Sequence, residues 1–172
     1  MTFSIRAIIR GLVAPNHYLS CPSEVWIHGL AELRRRGNGM RESGAFLLGT
    51  RYGKRRRINR FVYYDDLDRN CLNTGVVVFD GNGYGGLWRL CRESNLTVVA
   101  DIHTHPALPL QSHADRMHPM VAVPGHIALI VPHYALQVVS AQSIGIYEYK
   151  GAHQWINRSG KESKHFFYIG IW

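Results

Sequence analysis

Leu96-Thr97-Val98-Val99-Ala100 runs through Asp101 and Ile102 into His103-Thr104-His105-Pro106, and Ser112 and Asp115 complete a stretch of thirteen residues counted from His103. The apolar run reads as a buried strand, and on a strand residues two apart point to the same face. His103 and His105 are therefore placed to converge on one ion. Pro106 and Pro109 end the ladder and impose an irregular loop, after which Ser112-His113-Ala114-Asp115 has the spacing of a helix N-cap followed by an acid. A helix start there turns Asp115 toward the histidines. Two imidazoles and one carboxylate leave a fourth tetrahedral position for water, as catalytic zinc sites require and structural ones do not. Each piece has a plainer reading, strand histidines for the pair and a capping box for Ser112 with Asp115. Their succession in order, with an acid upstream, favours the metal.

That acid is Glu42, in Glu42-Ser43-Gly44-Ala45-Phe46-Leu47-Leu48-Gly49, where it begins an otherwise apolar strand. A carboxylate there costs solvation unless it has a partner or a task. Glu42 before a small-residue strand ending in Gly49, then H-x-H-P, then S-x-x-D, resembles the JAMM (MPN-plus) zinc metalloproteases, and most closely their short prokaryotic JAB branch. The likeness runs from about Ser20 to Trp155 and implies an α/β fold of the α+β kind, a mixed sheet flanked by helices in the three-layer, cytidine-deaminase-like JAB/MPN arrangement. It implies one Zn2+ held by His103, His105 and Asp115, with Glu42 as general base and Ser112 as the hydroxyl that steadies the oxyanion. Two positions depart from the pattern: six residues separate His105 from Ser112 where the family usually has seven, and Ala45 stands where glycine is common.

The residue types imply the chemistry on their own. Zinc lowers the pKa of a bound water to about 7 and polarises a carbonyl, Glu42 takes and returns a proton, and Ser112 donates to the developing oxyanion. The reaction class is metal-assisted amide hydrolysis. The resemblance implies cleavage after the C-terminal tail of a ubiquitin or bacterial ubiquitin-like protein, by precursor processing or deconjugation. It also implies E1-like and E2-like partners of the same operon, some of them in anti-phage defence. A glycine-rich tail suits such a site, because it lies extended without side chains to obstruct the carbonyl.

The 172 residues, 46% hydrophobic and 19% charged, suit a single domain spanning 1–172. No run approaches a membrane span, and the start of the chain lacks a secretory h-region. Cys21, Cys71 and Cys91 are odd in number and without CxxC spacing, against a disulfide framework or a zinc cluster and in keeping with a reducing cytoplasm. Periodicity places a first strand over Phe3 to Val13 and a helix capped by Ser23, with Trp26, Ile27, Leu30 and Leu33 on one face, stopped by Gly37. A hairpin follows, Ala45 to Arg51 and Ile58 to Tyr64 around Gly53, then a strand over Val76 to Phe79 and a short helix over Leu87 to Ser94. Beyond the metal loop, Ile127 to Pro132, Leu136 to Ala141 and Ile144 to Tyr149 read as strands. Lys164 to Trp172 reads as a last strand or, if exposed, as a homodimer or partner interface.

Gly81-Asn82-Gly83-Tyr84-Gly85-Gly86 matches G-x-G-x-x-G, with Asp101 twenty residues past Gly81, as a dinucleotide site requires. The helix behind it is short and no second nucleotide-binding half follows, so nucleotide binding is a competing reading of lesser weight. The net charge of +8 is concentrated in Lys54-Arg55-Arg56-Arg57 and in Arg34 to Arg36. The first reads as a solvated guard on a strand edge, the second as a complement to a helix dipole, and nucleic-acid binding as secondary. His113 and His118 sit near the metal loop, where contact with the ligands or with substrate is the lesser of their readings; His126 and His133 read as surface or hydrogen-bonded core residues. The same motifs also suit a catalytically silent MPN-type scaffold, which typically lacks the ligands present in this chain, and a zinc peptidase acting on small peptides or cysteine metabolites, which would keep every catalytic residue.

Overall fold

In a computed structural model that describes residues 17–75, 77–79 and 81–170, one mixed sheet of eight strands carries helices on both faces. The strands are β1 (Leu19–Pro22), β2 (Gly44–Tyr52), β3 (Arg55–Tyr63), β4 (Thr97–Thr104), β5 (Ile127–Val131), β6 (Gly145–Gly151), β7 (Gln154–Asn157) and β8 (Phe167–Gly170). They lie in the order β7-β6-β5-β4-β2-β3-β1-β8. β4 runs parallel to β5 and antiparallel to β2. The helices are α1 (Ser23–Arg36), α2 (Tyr64–Leu67), α3 (Tyr84–Ser94), α4 (His113–Met117) and α5 (Ser163–Phe166).

The apolar run of β2 explains the layering. Ala45 and Leu47 pack in one cluster with Trp26, Leu30 and Leu33 of α1, whereas Phe46 and Leu48 pack in another with Tyr64 of α2 and Leu87 and Cys91 of α3. Alternate residues of a strand face opposite ways, so a strand buried on both sides is apolar throughout. Gly49 is needed because a Cβ there would stand 1.8 Å from the Arg57 carbonyl oxygen of β3.

A bulge sets the phase of β4. Leu47 pairs with Ala100 and Leu48 with Val98, so Val99 is the extra residue. Val98 belongs to the second cluster while Val99 and Ala100 both belong to the first. The inserted residue resets the alternation and turns Asp101, where it meets Tyr64 of α2, and with it His103, to the α2 and α3 side.

Several elements differ from the sequence reading. The expected strand over Phe3 to Val13 lies outside the described residues. Ser23 is the first residue of α1 and makes no capping bond, the N-cap being Pro22; Ile27 is 47% exposed, and Gly29 takes its place on the buried face against Phe61. Val77 to Phe79 form no ladder and lead into a 3-10 turn over Gly81–Gly83. Leu136 to Ala141 is not a strand either. His133, Tyr134 and Ala135 are successively left-handed, at φ of 54°, 51° and 56°, and the chain beyond them is spent on α1, where the Trp26 indole donates to the Val139 carbonyl and Arg34 to that of Leu136. The C-terminal stretch is divided between α5 and β8, with Phe167 buried in the core. Among the described residues, no helix is long and apolar enough to cross a membrane.

Candidate metal centre

Strand pairing brings the upstream acid to the histidines. Gly44 of β2 stands opposite His103 of β4, and just beyond the ladder the Ser43 amide donates to the Thr104 hydroxyl at 3.0 Å while the Thr104 amide donates to the Ser43 carbonyl at 2.9 Å. Glu42 therefore reaches His105. Its Oε1 lies 3.8 Å from His105 Nε2, and its Oε2 accepts from the Val77 amide at 3.3 Å. One carboxylate oxygen is fixed by backbone and the other faces the imidazole. Glu42 precedes β2 by two residues rather than beginning it. The His105 backbone is held by β5 and the left-handed turn, its amide donating to Val131 and its carbonyl accepting from Tyr134.

Asp115 arrives on α4 as the capping spacing requires. The Ser112 hydroxyl accepts from the Asp115 amide at 3.1 Å, and Asp115 Oδ2 accepts from the Ser112 amide at 2.6 Å. The capping box and the ligand reading are thus compatible: the box fixes the carboxylate that meets the histidines. The loop before it is tied down from the sheet. The Tyr147 hydroxyl of β6 donates to the Pro109 carbonyl at 3.2 Å and accepts from the Gln111 amide at 3.4 Å. Gly145 permits this approach, since a Cβ there would lie 2.1 Å from the same Pro109 oxygen. Trp155 of β7 donates to the Arg116 carbonyl at 3.1 Å and pins α4.

The result is a three-atom face. His103 Nε2 and His105 Nε2 are 3.0 Å apart, and the Asp115 oxygens stand 3.4 Å from the first and 3.3 Å from the second. Ligand atoms bonded at about 2.0–2.1 Å to a tetrahedral ion stand roughly 3.3 Å from one another, so this set fits a small divalent cation in spacing as well as in donor type. It is the one group of three or more histidine, cysteine or acidic side chains that meets such spacing among the described residues. Without a cation, burial disfavours charge on His103, but Asp115 outweighs it and raises that ring above the ordinary histidine range. Burial likewise opposes the Asp115 charge, and its bonds to His103 and His105 hold it far below the usual carboxylate range. A metal takes neutral imidazoles and an ionised carboxylate, so its binding competes with protons and weakens as pH falls.

His103 Nδ1 is buried without a hydrogen-bond partner. Behind it, Asp101 and His126 are 2% and 3% exposed, with Asp101 Oδ1 2.5 Å from His126 Nε2 and Oδ2 accepting from the Tyr64 hydroxyl at 3.3 Å. Asp101 is thus engaged by core partners, and among the described residues before Gly81 none of 77–79 is in the strand that a dinucleotide fingerprint needs.

Glu42, Val77, His103, Asp115, His118 and Trp155 line a cleft with about 30 Å³ of free space, room for one or two waters. His118 borders it, whereas His113 and Ser112 do not line it. The Ser112 hydroxyl proton has no acceptor among the described residues. Tyr147, Trp155, the Asp101–His126 pair and the Val77 amide were not assigned to the site from sequence. Asp101 carried a signal, a charge inside an apolar strand, whereas a backbone amide carries none. Cys21, Cys71 and Cys91 are buried free thiols, and burial pushes those of Cys21 and Cys71 up to about 12.

No family model matches the chain. A solution structure of a Desulfitobacterium hafniense protein is similar at a TM-score of 0.62 and 17% identity, over 88% of this chain and 93% of that one. A second, from Salinibacter ruber, is similar at a TM-score of 0.50 and 18% identity, over 78% and 82%. At this identity the likeness is one of fold, a mixed sheet flanked by helices.

Proposed function

We propose that the protein is a zinc-dependent isopeptidase or peptidase of the JAMM (MPN-plus) kind, with the JAB/MPN arrangement of sheet and helices. The observation that carries this reading is the convergence of His103, His105 and Asp115 at ligand spacing with the free oxygen of Glu42 beside them. His103, His105 and Asp115 would hold Zn2+, which would supply a Lewis acid and lower the pKa of water at the site to about 7. The rest is done by the chain. Val77 holds Oε2 of Glu42 so that Oε1 accepts the proton of the attacking water and returns it to the leaving amine. Ser112 lies outside the lining of the narrow cleft; its oxygen accepts from the Asp115 amide, which leaves its O–H to donate to the tetrahedral oxyanion of a substrate that spans cleft and helix start. Tyr147 and Trp155 hold the loop and helix that bear Ser112 and Asp115.

The narrow cleft favours a substrate without side chains at the scissile bond, which supports the C-terminal glycine-rich tail of a ubiquitin-like protein, as precursor or conjugate. Partners that make such conjugates, E1-like and E2-like enzymes of an anti-phage system, are part of the same proposal, as is a cytoplasmic setting. The test is incubation of the protein with a ubiquitin-like protein fused through its tail to a reporter. Cleavage that stops with a chelator and returns with zinc supports the reading, and cleavage indifferent to chelator and to Glu42→Ala refutes it. A zinc peptidase of small peptides would cleave short glycine-containing peptides and leave the fusion whole.

A further inference from the structure

The hairpin of β2 and β3 carries Arg51, Lys54, Arg55, Arg56, Arg57 and Arg60 within ten residues, and no acid. The hairpin belongs to interior strands, β2 between β4 and β3 and β3 between β2 and β1, so a guard on the outer strands does not account for the cluster, and a guard on the protruding tip calls for charge but not for an exposed aromatic ring. The outermost strands among the described residues are β7 and β8.

The tip reaches beyond its neighbours. Among the described residues, β4 pairs with β2 only as far as Gly49 and β1 with β3 only at Arg56 and Arg57, so residues 50–55 extend past the described neighbours of the hairpin. Positive charge is concentrated there at a cost. Arg51 stands directly opposite Arg56, and like charges facing across a ladder repel. Both guanidiniums are fixed by carbonyls, Arg51 by that of Val98 and Arg56 by those of Val99 and Gly125, which orient a cation without neutralising it. No carboxylate among the described residues forms a salt bridge with Arg51, Lys54, Arg56 or Arg60. At the tip, Tyr52 is 88% exposed and paired with Arg55, so an aromatic face stands among cations.

We infer that this tip is a binding site for single-stranded nucleic acid, with the exposed Arg51, Lys54 and, farther along β3, Arg60 on phosphates and Tyr52 stacking on a base, Arg56 being buried. Cations along a ribbon bind any polyanion, whereas an exposed ring among them favours unpaired bases. Gly44 and Tyr52 are the two ends of β2, which places the tip roughly 25 Å from the metal centre at about 3.3 Å per residue. The site is therefore independent of the proposed hydrolysis and delivers the protein to nucleic acid without occupying the cleft.

Fluorescence anisotropy with a labelled single-stranded oligonucleotide, both DNA and RNA, tests this on the full chain. Binding is expected to weaken roughly 20-fold between about 50 and about 200 mM salt if three phosphates are neutralised. Lys54→Glu with Arg60→Glu should abolish it, and Tyr52→Ala should weaken single-strand binding about tenfold while leaving binding of polyglutamate or duplex DNA unchanged. His103→Ala should bind nucleic acid like the parent. No binding at low salt, binding unaffected by the charge reversal, or polyglutamate bound as tightly as the oligonucleotide would each overturn the assignment, the last in favour of an acidic protein partner.

Discussion

Glu42 has one carboxylate oxygen fixed by an amide and the other turned to His105, and its removal predicts a different loss from removal of the ligand His103. Glu42→Ala should retain zinc and lower turnover by about 10²–10⁴-fold, whereas His103→Ala should lose the ion; metal content and turnover measured together separate the roles. His126 is the other telling residue. Its removal leaves the buried Asp101 side chain with only the Tyr64 hydroxyl, and leaving a buried polar group short of a partner costs about 1–3 kcal/mol. His126→Leu should therefore unfold at a much lower denaturant concentration than the parent. At this scale His103, His105 and Asp115 were legible because their spacing is local to one strand and one helix start. Asp101 reads from sequence only as the acid of a dinucleotide fingerprint; its partner His126 lies twenty-five residues away, and only the pairing of β4 with β5 brings them together.

The metal loop is held less by its own sequence than by the strands it crosses. Tyr147→Phe removes the hydroxyl shared by Pro109 and Gln111. It should cost about 1 kcal/mol of stability and about tenfold or more in zinc affinity, read by unfolding and by competition with a chromophoric chelator. Between α1 and α2, Arg36 bonds Glu32, Asp65 and Asp66 together. Bonds from Arg35 and then Arg36 lower Glu32 to about 2 despite its partial burial. A depressed carboxylate stabilises the fold above its unfolded value of about 4.3 and loses that contribution as pH falls toward 2. Glu32→Gln should flatten this part of the acid-unfolding profile while costing less than about 1 kcal/mol at neutral pH. Apolar runs such as Leu96 to Ala100 and Ile127 to Pro132 announced their strands. Leu136 to Ala141 has the same character and forms none, because three left-handed residues deliver it to α1 instead of to a ladder.

For the whole molecule, the mixed sheet and its flanking helices follow from apolar runs that can only be buried on two sides. Strand order was less legible. β1, β7 and β8 are four residues each, too short to show a period, and the interior place of the basic hairpin depends on β1 joining β3. A cation bound by the folded chain and not by the unfolded one stabilises it by about 2.7 kcal/mol at a hundredfold excess over its dissociation constant. Zinc should therefore raise the melting temperature of the parent and leave that of His103→Ala unchanged. The most direct measurement is anomalous diffraction at the zinc edge from a zinc-soaked crystal. The geometry predicts a single strong peak about 2.0–2.2 Å from His103 Nε2, His105 Nε2 and an Asp115 oxygen, with Glu42 beside it and outside bonding distance; a map with no peak between those three side chains would contradict it.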